Sequence, residues 1–118
     1  MPPLILSLPF PPSVNHYLKR SKFGTYKTKE AKAYEDEIAL LVMVARANKH
    51  LSIPVEIEYL IWFPDNRRRD IANYEKVLTD SLVKAGVMED DHLVHKWVIE
   101  RKGVVKGGKI CVTIKPYT

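Results

Sequence analysis

The chain has 118 residues and a single cysteine, with 46% apolar and 28% charged residues, a net charge of +5 and a pI near 9.3. That length suits one domain around one core, the lone Cys111 excludes an internal disulfide, and no apolar run approaches the roughly 18 residues of a membrane span. The basic balance is compatible with a polyanionic partner without requiring one, and without an ordered basic, apolar and cleavage-site leader the expected location is cytoplasmic.

Leu4, Leu6 and Leu8 alternate, which predicts a strand over about residues 3–9, ended by Pro9, Pro11 and Pro12. Residues 13–28 read as a long loop rich in basic and aromatic side chains, among them His16, Tyr17, Lys19, Arg20, Lys22, Phe23, Tyr26 and Lys27; loops of this length are often functional. Helical spacing of Tyr34, Ile38, Leu41, Val42 and Ala45 predicts a helix over about 29–48, with Thr28 as N-cap. Leu40 and Val44 widen its apolar stripe, as burial on two sides would require. Val55, Ile57, Tyr59, Ile61 and Phe63 alternate with Pro54, Glu56 and Glu58, giving a strand over about 53–63. Near its end Leu60 and Trp62 make the outer positions apolar too, pointing to cover by another element or a second subunit.

Pro64-Asp65-Asn66 is a turn, followed by Arg67-Arg68-Arg69. A second helix is predicted over about 71–85, with Gly86 just past its end. Tyr74, Val77, Leu78, Ser81, Leu82 and Ala85 make its buried stripe, and Asn73, Lys76, Asp80 and Lys84 its polar face. Strands over about 93–102 and 109–115 close the chain; Lys106-Gly107-Gly108 between them suits a hairpin with positive φ angles. Cys111 falls within the last strand, and Trp62 and Trp97 read as core or interface residues. The expected fold class is therefore α/β (α+β): a small two-layer domain, residues 1–118, with a mixed sheet and two main helices in the order β-α-β-α-β-β.

The densest chemistry lies between Arg67 and Asp91. Asp70, Asn73, Lys76 and Asp80 are spaced 3, 3 and 4 apart, which puts Asn73, Lys76 and Asp80 along one side of a helix with Asp70 at its N-terminal end. After Gly86 the chain presents Glu89-Asp90-Asp91, in a return toward the helix. Carboxylates near a lysine suit Mg²⁺, which binds phosphate substrates through one or two carboxylates and water. Guanidinium groups suit neighbouring phosphates. Ordinary roles fit the same residues: Asp70 as a helix cap, Lys76 and Asp80 as a surface ion pair, the arginines as a solvated patch and Glu89-Asp90-Asp91 as an acidic turn. His92 and His95 flank that turn, and His95 also falls on a strand face with Leu93, Trp97 and Ile99.

Taken together, these residues resemble the RusA family of Holliday junction resolvases. The resemblance runs through Leu8-Pro9-Phe10-Pro11-Pro12-Ser13, Asn15 and Tyr17. It resumes at Pro64-Asp65, the arginine cluster, Asp70, Asn73 and Lys76, and continues through Asp80, Lys84-Ala85-Gly86, Asp90-Asp91 and Val105-Lys106-Gly107-Gly108. It implies a homodimeric, Mg²⁺-dependent endodeoxyribonuclease, with Mn²⁺ as a substitute, that nicks four-way DNA junctions symmetrically. Phage or prophage origin is typical of the family. By the same resemblance Asp70, Asp91 and Lys76 are catalytic, and Asp70, Asp90 and Asp91 hold metal. The expected DNA contacts are Arg67, Arg68, Arg69, Asn73, Asn15, Tyr17, Lys19, Arg20 and Lys22, with Phe23 and Tyr26 beside them. The family pattern Asp-x-Asp-Asn reads Asp70-Ile71-Ala72-Asn73 here, so one carboxylate is missing. A branched-DNA-binding protein with impaired or lost cleavage is the alternative this departure raises.

Overall fold

The computed structural model describes residues 1–13 and 18–118. Its main sheet joins β1 (Leu4–Leu8), β6 (Lys109–Pro116), β4 (Val55–Phe63) and β5 (Val94–Val104), in that spatial order. Helices α1 (Lys29–Val44) and α2 (Ala72–Lys84) cover one face, and a separate two-stranded hairpin, β2 (Leu18–Ser21) and β3 (Gly24–Lys27), precedes α1. The expected mixed sheet and two helices in the order β-α-β-α-β-β are present, with the hairpin added.

β4 is the centre. Its inner row, Val55, Ile57, Tyr59, Ile61 and Phe63, is buried, while Glu56, Glu58, Leu60 and Trp62 on the other face are half-buried. Lys109 rests its ammonium 4.4 Å from the Trp62 ring centre, and so helps to cover it. β6 pairs antiparallel with one edge of β4 and β5 parallel with the other. A parallel neighbour cannot be reached by a tight turn, so the chain crosses over through α2. This corrects the expected hairpin of the last two strands. Gly107 and Gly108 do adopt positive φ (80° and 68°), but they turn the chain across the end of β4, which lies between β5 and β6.

The helices form where the patterns place them. Thr28 caps α1, its hydroxyl accepting the Ala31 N–H at 3.2 Å. Tyr34, Ile38 and Val42 enter the core with Leu78 and Leu82 of α2 and the inner rows of the sheet. α1 stops at Val44, four residues before the expected end: Arg46 takes φ 56°, a left-handed stop that no glycine announces in the sequence. Ala45, expected on the inner stripe, is therefore the exposed cap, and Leu40 and Val44 lie in solvent where burial on two sides was expected. α2 matches its predicted span to within one residue at each end. It closes with a Schellman motif: Gly86 at φ 87° donates to Val83, and Val87 donates to Leu82.

The segment expected as a loop over 13–28 contains the β2–β3 hairpin, registered from Leu18 opposite Lys27 to Ser21 opposite Gly24. Nearly all its side chains are exposed, so no apolar alternation marks it in the sequence. Trp97 is exposed on edge strand β5, and a register shift near Val55 breaks the strict alternation expected through His95. Cys111 is a half-buried free thiol on β6.

Phe10, Phe63 and Tyr74 form an aromatic cluster with ring centres 5.3–5.6 Å apart, tying the segment after β1 to the end of β4 and the start of α2. Gly108 packs against it: a Cβ there would lie 2.9 Å from Phe10, whereas one at Gly107 meets open space. Gly107→Ala should therefore cost about 1 kcal/mol of stability and Gly108→Ala about 2–3 kcal/mol, read as the difference in urea midpoints.

Candidate active site

The site begins where β4 ends. The Asp65 carboxylate accepts the Arg67 N–H at 2.9 Å and takes the Arg69 guanidinium in a two-pronged pair at 2.6 and 3.2 Å. Arg69 lies over the Phe10 and Phe63 rings, and its backbone carbonyl accepts from Arg101, which stacks on Phe63. The three arginines thus divide. Arg69 is 17% exposed and turned inward, Arg67 is 82% exposed, and Arg68 is exposed. The hydrogen bonds from Arg69, followed by that from the Arg67 N–H, pull the Asp65 carboxyl down to about 2.

Asp70 opens α2. Its carboxylate accepts the Ala72 N–H at 3.0 Å and its carbonyl accepts the Asn73 N–H, while Ile71 holds the N-cap position itself, so Asp70 stands one residue before the cap. Ala72 and Asn73 are exposed on the first turn. One turn beyond Ala72, the Lys76 ammonium sits 3.3 Å from Asp80 and 3.9 Å from Asp91. The hydrogen bond to Asp80 raises the Lys76 pKa, so this group remains a cation.

Asp91 arrives by a defined route. After Gly86, residues His50 and Leu51 bond to Gly86, Val87 and Glu89, and Leu51 bridges Met88. The chain then makes a short 3₁₀ turn, Asp91–Leu93, capped by Asp90 through the His92 N–H. The neighbouring Asp91 carboxyl, followed by the His92 amide, holds Asp90 below the ordinary carboxylate range. The return loop meets the second half of α2 and encloses an open pocket of about 290 Å³. Lys27, Asp80, Val83, Lys84, Glu89, Asp90 and Asp91 line it. Asp70 is not among the lining residues.

Among the described residues, no three His, Cys, Asp or Glu side chains stand together as a ready metal cage. The donor chemistry nonetheless fits a hard divalent cation. Asp80, Asp90 and Asp91 line one open pocket, and such an ion can complete its shell with water and phosphate oxygens. His92 lies against Asp90 at 3.4 Å, and His95 packs on the Tyr117 ring.

The β2–β3 hairpin presents Lys19, Arg20 and Lys22 to solvent with Leu18, Phe23 and Tyr26; Lys22 covers the Phe23 ring. Asn15 and Tyr17, and with them His16, lie outside the described residues. At the hairpin's end Lys27 binds Glu35 of α1 at 2.8 Å, and Lys84 of α2 reaches the same carboxylate oxygen at 3.4 Å. Sequence reasoning gave no role to Glu35 or Arg101 and did not count Lys27, Asp80 or Lys84 among the site residues. Two signals were present: Asp80 closes the 3-3-4 row, and Glu35 shares helical spacing with Ile38 and Val42 on the buried face.

A family model described as Endodeoxyribonuclease RusA matches residues 9–115. Crossover junction endodeoxyribonuclease RusA of Escherichia coli strain K12 is 37% identical over 109 residues, covering 92% of this chain and 91% of that protein. The proteins of that name from Escherichia coli O139:H28 and from Enterobacteria phage 82 are 38% and 36% identical over the same coverage.

The Asp65 pair makes a test of the Arg69 geometry. A carboxyl whose pKa falls from 3.8 to about 2 on folding contributes stability that is present above its unfolded value and lost as pH falls through the folded one. NMR titration of the Asp65 carboxyl should therefore give a midpoint near 2, and Asp65→Asn should release Arg69 and abolish that midpoint.

Proposed function

Because the chain belongs to the RusA family of endodeoxyribonucleases, we propose that it is a structure-selective endodeoxyribonuclease that resolves Holliday junctions by paired symmetric nicks. The observation that carries this reading is Lys76 held against both Asp80 and Asp91, two carboxylates that also line the pocket. A protonated lysine beside carboxylates is the arrangement metal-assisted phosphodiester hydrolysis needs. The residues 1–118 act as one domain.

In this reading Asp70, Asp90 and Asp91 offer oxygens to Mg²⁺, or to Mn²⁺ in its place. When bound, the ion polarises a phosphoryl oxygen and lowers the pKa of attacking water. Lys76 places its charge where negative charge develops on the phosphate. Asp80 keeps the ammonium protonated and oriented through their hydrogen bond. Arg67, Arg68, Lys19, Arg20 and Lys22 bind the DNA backbone, positioning the protein without reading sequence. Asn73 faces solvent beside them at the start of α2, and Asn15 and Tyr17 belong to the same proposed contact set. Arg69 acts in the same set by fixing the loop that carries its two neighbours.

A homodimer matches the near two-fold symmetry of a four-way junction, one site for each nicked strand. The bacterial cytoplasm is the proposed place of action. No helix of the described residues is long and apolar enough to cross a membrane. Ala72 removes one expected carboxylate and leaves Asp70, Asp90, Asp91 and Lys76 in place; no other observation at the site favours a binding-only protein.

The deciding experiment is cleavage of a synthetic four-way junction with Mg²⁺, Mn²⁺ or chelator. Wild type should nick symmetrically with either ion and be silent in chelator; no nicking of bound junction with either ion overturns the proposal. Asp70→Asn, Asp91→Asn and Lys76→Ala should each lower the cleavage rate by about 100-fold or more while binding persists. Ala72→Asp adds a carboxylate one turn before Lys76 and should lower the Mg²⁺ concentration for half-maximal cleavage.

A further inference from the structure

Glu35 is the charged side chain that the described residues bury, at 8% exposure on the core-facing side of α1. A carboxylate taken from water needs compensation. One ammonium in close contact would supply it, yet Glu35 has two on the same oxygen: Lys27 at 2.8 Å from the end of β3 and Lys84 at 3.4 Å from the last turn of α2. The group of three carries a surplus positive charge. Its two lysines line the same pocket as Asp80, Glu89, Asp90 and Asp91. The pocket therefore carries both signs, with carboxylates suited to a cation and ammonium groups suited to an anion. Lys84 is 58% exposed, and an ammonium has three N–H donors, so its pairing with Glu35 leaves donors for an incoming oxygen.

We propose that Lys27 and Lys84 form a phosphate-binding subsite for the DNA backbone, with Glu35 as the positioning residue that gathers both ammonium groups beside the acidic centre. The inference rests on the endonuclease reading and adds to it a place for a backbone phosphate next to the one being cut. Two features support a binding role beyond a structural strap. A strap between the hairpin and α1 is complete with Lys27 and Glu35 alone, whereas Lys84 adds a second cation at cost in mutual repulsion. A phosphate diester also has the charge to pair with two ammonium groups gathered on one carboxylate.

The test measures junction binding over a range of salt concentrations, in Ca²⁺ to hold the DNA uncut, with cleavage in Mg²⁺ assayed in parallel. Lys84→Ala should weaken binding several-fold and reduce the slope of log affinity against log salt by about 1 per subunit, the loss of one phosphate contact. Lys84→Arg should keep the slope. In a Glu35→Gln background, which retains size but not charge, Lys84→Ala should change the slope much less, because the ammonium is no longer held. A wild-type slope and affinity in Lys84→Ala, against a wild type that binds and cuts the junction, overturns the subsite alone. Equal effects of Lys84→Ala with and without Glu35 overturn the positioning role. A wild type that binds no junction at low salt overturns the endonuclease reading and the subsite with it.

Discussion

The architecture depends on the pairing of β4 on both of its edges. Its inner row is almost completely withdrawn from solvent, and a strand so placed must satisfy its backbone groups on each side. β6 supplies one edge antiparallel and β5 the other in parallel. The parallel partner requires a crossover, and that crossover is α2. Helix α2 is therefore both a structural necessity and the carrier of Lys76 and Asp80. Its buried side is tied directly to β4: the Tyr59 hydroxyl and Thr79 hydroxyl meet at 2.6 Å, and Thr79 donates to Glu75. Burial drives the Tyr59 pKa upward, so the phenol stays a neutral partner in this chain.

Both ends of α2 are held, by different physics. At the N-terminal end, Asp65, Arg69 and Arg101 work through paired charges and aromatic faces, with Phe10, Phe63 and Tyr74 as the platform. At the C-terminal end the Schellman turn at Gly86 sets the direction of the return loop. Partly buried ion pairs of this kind contribute little net stability once desolvation is counted, and their value lies in selecting one geometry. Here that geometry brings Asp91 to Lys76 and Asp90 to the pocket.

The net charge of +5 conceals a division. Cations occupy the hairpin and the segment before α2, whereas carboxylates gather between the second half of α2 and the 3₁₀ turn. A basic surround attracts a polyanion over a distance set by salt. An acidic pocket within it repels the same polyanion until a cation is present.

The sequence by itself determined the elements whose signal is local. Alternation in Val55–Phe63 placed β4, the stripe from Tyr74 to Leu82 with Gly86 beyond it placed α2, and Thr28 marked the start of α1. The family likeness was legible too, since its residues recur in order and spacing along nearly the whole chain. What depended on distant partners was not legible. The sequence did not reveal that β5 and β6 flank β4, because strand adjacency is decided by which edges remain to be paired. It did not separate inward-turned Arg69 from exposed Arg67, because identical residues in a run differ only in what stands opposite them. Nor did it place Lys27, Glu35 and Lys84 around one oxygen. Those three come from separate elements, and only the packing of hairpin, α1 and α2 brings their charges together. The acidic segment from Asp70 to Asp91 was thus named by the sequence, while tertiary structure decided which of its carboxylates share a pocket: Asp80, Glu89, Asp90 and Asp91, with Asp70 at the head of the helix.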